Sequence, residues 1–165
     1  MATPTSTALI YKAKSKLHGN GLFAKVDIKR GQKIIQYIGK SITYKQCDEI
    51  TSRRYKSAAA ENRAYAFVFQ VTKDYFIDGN VPNNLAKFIN HSCNPNCESY
   101  IYRREVWIRA LRPLKAGEEL TFDYGFDILE GIASPCACGE RGCVGYVMDK
   151  SYRSYFKKHV APLMA

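Results

Sequence analysis

Long apolar runs are missing from this sequence: nothing in it approaches the roughly 20 consecutive apolar residues needed to cross a bilayer. Residues 1–8 are small and polar, without a charged start and an apolar middle, so no secretion signal is expected and the reading is a soluble protein with no membrane partner. Internal repeats and low-complexity tracts are also absent. The 165 residues, 46% hydrophobic, suit one domain with a real core. Gly19-Asn20-Gly21 lacks a third glycine at dinucleotide-fold spacing and opens no helical pattern, which argues against a Rossmann phosphate loop. A plain turn and a close approach of backbone to ligand both remain open for it. Acidic residues are scarce in the first 60 positions, 3 against 12 Lys and Arg, whereas residues 61–165 hold 12 against 13. The net charge of +10 is therefore almost all N-terminal. Such a basic face suits a polyanion such as nucleic acid, and equally an ordinary solvated surface.

What is present is a series of short strand-like runs with frequent turn signals. Residues 8–11 suit a strand, as does Ile34-Ile35-Gln36-Tyr37-Ile38 between the turn Lys29-Arg30-Gly31-Gln32 and Gly39. Residues 64–71 and 75–78 form an expected hairpin around Lys73-Asp74, and residues 99–102 and 106–110 another around Arg103-Arg104-Glu105. Leu120-Thr121-Phe122 is a further strand after the turn at residues 113–117. Thr43 with Gln46 fits a capping box, and Tyr44, Cys47 and Ile50 recur at helical spacing up to about residue 56, with Cys47 read as a packed thiol. A short helical turn is expected over residues 85–89 and a last helix over residues 149–158, where Tyr152, Tyr155 and Phe156 are read as packing residues. The expected fold class is mainly β with small helices.

The polar stretch Asn90-His91-Ser92-Cys93-Asn94-Pro95-Asn96-Cys97 follows the apolar turn directly, so its amide and imidazole groups must find partners from elsewhere. Cys136, Cys138 and Cys143 form a C-x-C-x4-C loop. Six cysteines placed so unevenly fit metal ligation better than three disulfides. A structural zinc ion takes four ligands, and the residues alone leave Cys93 and Cys97 both open as the fourth. Four thiolates around Zn²⁺ carry a charge of about −2, which Arg141 can offset. Tyr124, beside Gly125, reads by itself as a core tyrosine before a catalytic one.

The ordered set His18-Gly19-Asn20-Gly21-Leu22-Phe23-Ala24, Tyr37, Tyr65, Asn90 through Asn96, Gly117-Glu118-Glu119-Leu120-Thr121-Phe122-Asp123-Tyr124 and the cysteine loop resembles the SET-domain protein lysine methyltransferases with a post-SET zinc loop. The resemblance spans residues 18–146. It implies a fold of several short sheets with a C-terminal pseudoknot: a SET domain over residues 1–130 with core motifs in 18–125, a post-SET zinc segment over 131–148 and a helical tail over 149–165. It implies that S-adenosylmethionine is held by the main chain around His18, Gly19, Asn20, Gly21 and Leu22, with Tyr65, Asn90, His91, Tyr124 and Ala137. Tyr124 and Tyr65 would be catalytic, Tyr37, Tyr65, Phe122 and Tyr124 would line the lysine channel, and Cys93, Cys136, Cys138 and Cys143 would hold zinc. The implied substrate is a basic protein such as a histone tail, with DNA or nucleosome contact through basic residues 1–60. The implied location is nuclear in a eukaryote, and cytoplasmic or that of a secreted effector in a bacterium. Gln36 and the run at residues 77–82 depart from the usual pattern, and with no cysteine-rich segment before residue 18 the chain resembles a stand-alone member or an excised catalytic domain.

The chemistry agrees with that resemblance. Methyl transfer from a sulfonium is an in-line displacement, so positioning an amine lone pair is the main task. A free lysine has a pKa of about 10.4, and a dry channel beside a positive sulfonium disfavours its ammonium form. Tyrosine hydroxyls and carbonyls then suffice, and no His/Asp dyad is expected. Phe122 lacks a hydroxyl that could hold a water where a methylated amine turns, which suits di- or trimethylation. Glu118, Glu119, Asp123, Asp127 and Glu130, with no Lys or Arg in residues 117–131, are expected to attract a basic peptide. A non-histone target fits the same chemistry. A zinc-stabilised basic module that binds nucleic acid without catalysis is the rival from another class, and it leaves Asn90, His91, Phe122 and Tyr124 without a reason.

Overall fold

The computed structural model describes residues 8–61 and 67–164. Strand β1 (Ile10–Lys14) folds back antiparallel onto β2 (Asn20–Ala24), with Ile10 opposite Ala24 and Lys14 opposite Asn20. The Asn20-Gly21 stretch thus continues past its turn as a strand. β3 (Lys33–Tyr37) and β4 (Lys40–Ile42) flank Ile38-Gly39 and join different sheets. Helix α1 (Tyr44–Glu61) follows, then the hairpin β5 (Val68–Thr72) and β6 (Tyr75–Asp78), with β4 on the far side of β6. A 3₁₀ turn (Leu85–Phe88) leads into the two-residue strand β7 (Asn90–His91). β8 (Cys97–Tyr102) and β9 (Glu105–Ala110) form the second hairpin, and β3 pairs with the open edge of β9. β10 (Thr121–Phe122) runs parallel to β7, and α2 (Ile128–Ile132) and α3 (Lys150–Tyr155) close the described chain with a π-helical turn (Phe156–Val160) and a 3₁₀ turn (Ala161–Leu163).

Alternation explains the central sheet. Val106, Ile108 and Ala110 of β9 point into the core while Trp107 and Arg109 face outward, the period-two pattern of a half-buried strand. Their inward neighbours include Leu22, Ile28, Ile35 and Leu120, so one core lies beneath the short sheets. The capping box of α1 forms as expected: Thr43 N–H donates to Gln46 Oε1 (2.9 Å) and Gln46 N–H to Thr43 Oγ1 (3.4 Å). The helix continues five residues past the expected end near residue 56, because Ser57-Ala58-Ala59-Ala60 offers strong helix formers and no breaker. The expected strand over residues 64–71 begins at Val68 among the described residues; Tyr65 lies outside them.

The C-terminal helix departs from expectation. Only Phe156 of its three aromatics packs inward, 2% exposed and edge-on to Tyr146 at 5.5 Å, while Tyr152 and Tyr155 are 42% and 57% exposed. The other buried side chain is Arg153. The helix turns toward a half-buried carboxylate and two carbonyls, and those polar partners set its face more than aromatic spacing does.

Residues 117–122 form the junction of the molecule. On one side Ala24 N–H donates to Glu118 O (2.9 Å) and Leu120 N–H to Leu22 O (2.8 Å), tying the segment to β2. On the other, Thr121 N–H donates to Asn96 Oδ1 (2.8 Å) and Ser92 N–H to Phe122 O (3.3 Å), tying it to the chain around β7. The polar segment of residues 90–97 thereby finds the partners its burial demands.

Candidate active site and metal centre

Asn90 is held by three acceptors. Its side-chain N–H₂ reaches His18 O (3.2 Å), Asn20 O (3.2 Å) and Glu119 Oε1 (2.8 Å), and Glu119 also accepts from Ser15 Oγ (2.7 Å). Gly21 leaves room for this arrangement: a Cβ on it would lie 2.4 Å from the Glu119 carboxylate oxygen, so the carboxylate would have to shift off its partners. Leu22 contributes a fully buried side chain and a carbonyl already engaged by Leu120. Glu119 is a site residue that spacing alone did not single out as a positioning group. The detectable signal was a carboxylate two residues before the Thr121-Phe122 strand.

His91 links the polar segment to Tyr124. Tyr124 N–H donates to His91 Nδ1 (3.2 Å), which makes Nε2 the protonated nitrogen, and that nitrogen faces Cys93 Sγ at 3.5 Å. Burial, then the nearby Arg153 charge, lowers the imidazole pKa to about 4, so the ring is neutral at pH 7. Asp123 Oδ1 lies 3.8 Å from Nδ1. The expectation of no His/Asp pair is corrected in position but not in chemistry, because Nδ1 is already an acceptor and the separation exceeds a hydrogen bond.

Tyr124 stands where two clefts meet. The first is lined by Leu17, His18, Asn90, His91, Ala137 and Val147 among others, the second by Tyr37, Phe69, Lys87, Phe122 and Phe126 among others. Among the described residues, Tyr124 is the one common to both. Its hydroxyl donates to Ile89 O (2.9 Å), and burial holds the phenol protonated, well above the ordinary tyrosine range. Aromatic rings wall the second cleft: Phe122 lies 4.9 Å from Tyr124 and 5.8 Å from Phe69 between centroids, and Tyr37 lies 4.6 Å from Phe69. Tyr37 donates its hydroxyl to Phe67 O (2.9 Å) and packs so closely over Gly79 that a Cβ there would fall 2.2 Å from the ring.

Four sulfurs converge nearby. The Sγ atoms of Cys93, Cys136, Cys138 and Cys143 all lie within 4.8 Å of one another, with Cys93 and Cys136 at 4.0 Å. A zinc tetrathiolate with Zn–S of about 2.3 Å has S···S edges of about 3.8 Å, so the donor set fits that ion. Burial raises Cys93, and raises Cys136 to about 12, whereas amide and sulfur hydrogen bonds lower Cys138. A divalent cation is the group that would let all four stand as thiolates. Of the two candidates left open by spacing, Cys93 is in this cluster and Cys97 is not: Cys97 is fully buried in the core, where burial pushes its thiol up to about 12. Cys47 is half-buried on α1, also apart from the cluster.

Comparison with known proteins completes the picture. The SET domain family model matches residues 19–125. The chain belongs to the SET-domain family. It is 40% identical over 139 residues to the histone-lysine N-methyltransferase trr of Drosophila melanogaster, 38% over 137 to the H3 lysine-4 specific histone-lysine N-methyltransferase of Schizosaccharomyces pombe, and 35% over 136 to the histone-lysine N-methyltransferase SETD1B of Homo sapiens. These alignments take in 80–81% of the chain but 6%, 14% and 7% of the respective relatives, so the chain spans a small part of their length. No helix among the described residues of this SET domain is long and apolar enough to cross a membrane.

The acidic residues of the SET domain are less available than their run suggests. Glu118 pairs with Arg112 and accepts from Asn96, Glu119 accepts from Ser15 and Asn90, and Asp123 pairs with Arg153. Asp127 and Glu130 form the capping box of α2. The expected attraction of a basic peptide therefore rests on carboxylates already engaged inside the molecule. Arg141 lines an open groove beside the sulfurs, and the buried cation closest to that part of the chain is Arg153, which the sequence did not single out.

Proposed function

We propose that this chain methylates a lysine side chain of a histone or a similarly basic protein, with S-adenosylmethionine as methyl donor. The observation that carries the reading is the meeting of two clefts at Tyr124. When bound, S-adenosylmethionine supplies a methyl group made electrophilic by its sulfonium. The first cleft is assigned to it, with the main chain of His18 through Leu22, Asn90, His91, Tyr124 and Ala137; Tyr65, outside the described residues, is assigned to the same role on the family resemblance alone. The four clustered cysteines are assigned to a structural zinc ion. In this reading residues 1–130 are the SET unit, 131–148 the post-SET loop and 149–165 the helical tail.

The second cleft then receives the target lysine. Its rings exclude water, which disfavours the ammonium form and leaves a neutral amine with a lone pair. Because the Tyr124 proton is committed to the Ile89 carbonyl, the phenol oxygen is free to accept an N–H from that amine and aim its lone pair across the junction. No general base is needed at His91, which is neutral and spent on positioning.

Incubating the protein with labelled S-adenosylmethionine, core histones, an H3 tail peptide and whole lysate tests this, with label expected on histone lysine. Label on a lysate protein alone identifies a non-histone target, and absence of both label and cofactor binding leaves the nucleic-acid module. Phe122 closes the second cleft without a hydroxyl, so mass spectrometry should show di- or trimethyl product, and Phe122→Tyr should shift it toward monomethyl. Monomethyl product alone from the unaltered protein at long times overturns that part. Contact of the basic N-terminal third with DNA predicts that methylation of nucleosomes falls steeply with salt while methylation of free peptide does not.

A further inference from the structure

Arg153 is 7% exposed in a short helix whose neighbouring side chains face solvent. A guanidinium buried without partners is costly, so its surroundings define its role. Nη2 donates to Asp123 Oδ2 (2.5 Å), Nη1 to Cys93 O (2.6 Å) and Nε to Met148 O (2.9 Å). One planar fork thus grips three separate stretches of chain, 30 and 60 residues apart from it in the first two cases. Cys93 supplies one of the four clustered sulfurs and receives the His91 Nε2 contact. Asp123 precedes Tyr124, and its other oxygen accepts from Gly125 N–H (3.1 Å). Arg153 lines neither cleft that meets at Tyr124, yet every group it holds is covalently next to one that does, or to the sulfur cluster. It also lies outside residues 19–125, the part matched by the family model.

We infer that Arg153 is a positioning residue through which α3 locks the sulfur cluster and the His91–Tyr124 junction into one geometry, so that cofactor affinity and metal retention depend on the helix after the cysteine loop. A guanidinium suits the task because its rigid fork reaches one carboxylate and two carbonyls at once, whereas an ammonium is a point charge on a flexible stem. Outer-shell partners of this kind typically change metal affinity or activity by about 10- to 100-fold when removed.

The test uses the full zinc-loaded chain with Arg153→Met and Arg153→Lys. Three quantities are measured well below the melting temperature: the S-adenosylmethionine dissociation constant, the rate of zinc release to a colorimetric chelator, and kcat and KM on peptide. Arg153→Met is expected to weaken cofactor binding and speed zinc release, each by about tenfold or more. Arg153→Lys should fall between, keeping the Asp123 ion pair but losing the grip on both carbonyls. A helix that only adds stability would lower the melting temperature and leave cofactor affinity, zinc release and KM of the folded fraction unchanged, and that result overturns the inference. If Arg153→Met does not fold, Arg153→Lys decides: cofactor affinity and zinc release within about twofold of the unaltered protein reject the role. The cofactor readouts rest on the methyltransferase reading, whereas zinc release does not. A parent protein that binds no S-adenosylmethionine therefore defeats that reading and leaves zinc release to judge the clamp.

Discussion

At the level of single residues, the site is a set of polar groups each holding another in place. Tyr124 shows the magnitudes. Its hydroxyl is the donor to a buried carbonyl, Ile89 O, and its amide is the donor to His91 Nδ1. Tyr124→Phe keeps the amide bond and the ring packing against Phe122 and Phe126, at 4.9 and 5.7 Å, but leaves that carbonyl without its donor. The stability cost should be about 1–3 kcal/mol, read from urea unfolding. Turnover should fall further, by about 10²-fold, because the oxygen proposed to orient the amine is gone and a misplaced nucleophile loses roughly that much. A turnover change no larger than the stability change would count against a role for the hydroxyl at the reacting centre. Asn90 and Glu119 obey the same logic one layer out, since three acceptors around one amide fix the carbonyls of His18 and Asn20 in space.

Among elements, the β8–β9 hairpin carries strain that its sequence does not advertise. Arg103 and Arg104 both adopt positive φ, 50° and 64°, in the two-residue turn between Tyr102 and Glu105. Turns of this hand favour Asn-Gly, and a left-handed conformation costs an ordinary residue about 1–2 kcal/mol. The arginines recover part of it by stacking, Arg103 over Tyr102 at 5.2 Å and Arg104 over Tyr75 at 4.7 Å, contacts worth about 0.5–1 kcal/mol each at exposed sites. Replacing the pair by Asn-Gly should therefore stabilise the protein by about 1 kcal/mol, seen as a raised urea midpoint with an unchanged slope. Strands with clear alternation or β-rich composition, such as β3, β6 and β9, were legible in the sequence. So were the α1 cap and the cysteine loop. β2, β4 and β7 were not, because Asn20-Gly21 carries a turn signal, and strands of three and two residues exist only through partners distant in sequence. Arg153 was illegible for the same reason: nothing near it in sequence announces a carboxylate 30 residues upstream. The densest motifs, Asn90 through Cys93 and the cysteine loop, come together in space, and the place of Cys93 rather than Cys97 in the sulfur cluster needed three dimensions.

For the molecule as a whole, the question is what holds the last fifth of the chain against the sheets. Residues 135–146 close a loop around the sulfurs through the Pro135–Tyr146 bridge and Cys136 N–H to Gly145 O (2.9 Å), and Asp149 N–H donates to Phe126 O (2.9 Å). The apolar anchors of this region are few, chiefly Val147, Met148 and Phe156, while the sheets share a core of Leu22, Ile28, Ile35, Ile108 and Leu120. A small unit with so little core would draw folding energy from a metal held by the four sulfurs. Yet Ala137 and Val147 are walls of the first cleft, so the same unit completes the proposed cofactor site. Chelating the metal should therefore release the tail and weaken S-adenosylmethionine binding together, while the β3-β9-β8 sheet stays folded. Hydrogen exchange with and without chelator checks this. Protection should drop first over residues 133–160, with β9 amides unchanged, and the cofactor dissociation constant should rise over the same chelator range. A chelated protein with full tail protection and unaltered cofactor affinity would show that Arg153 and the apolar anchors hold the tail without the metal. Protection lost in the sheets and tail at once would instead make the whole domain a single metal-dependent unit.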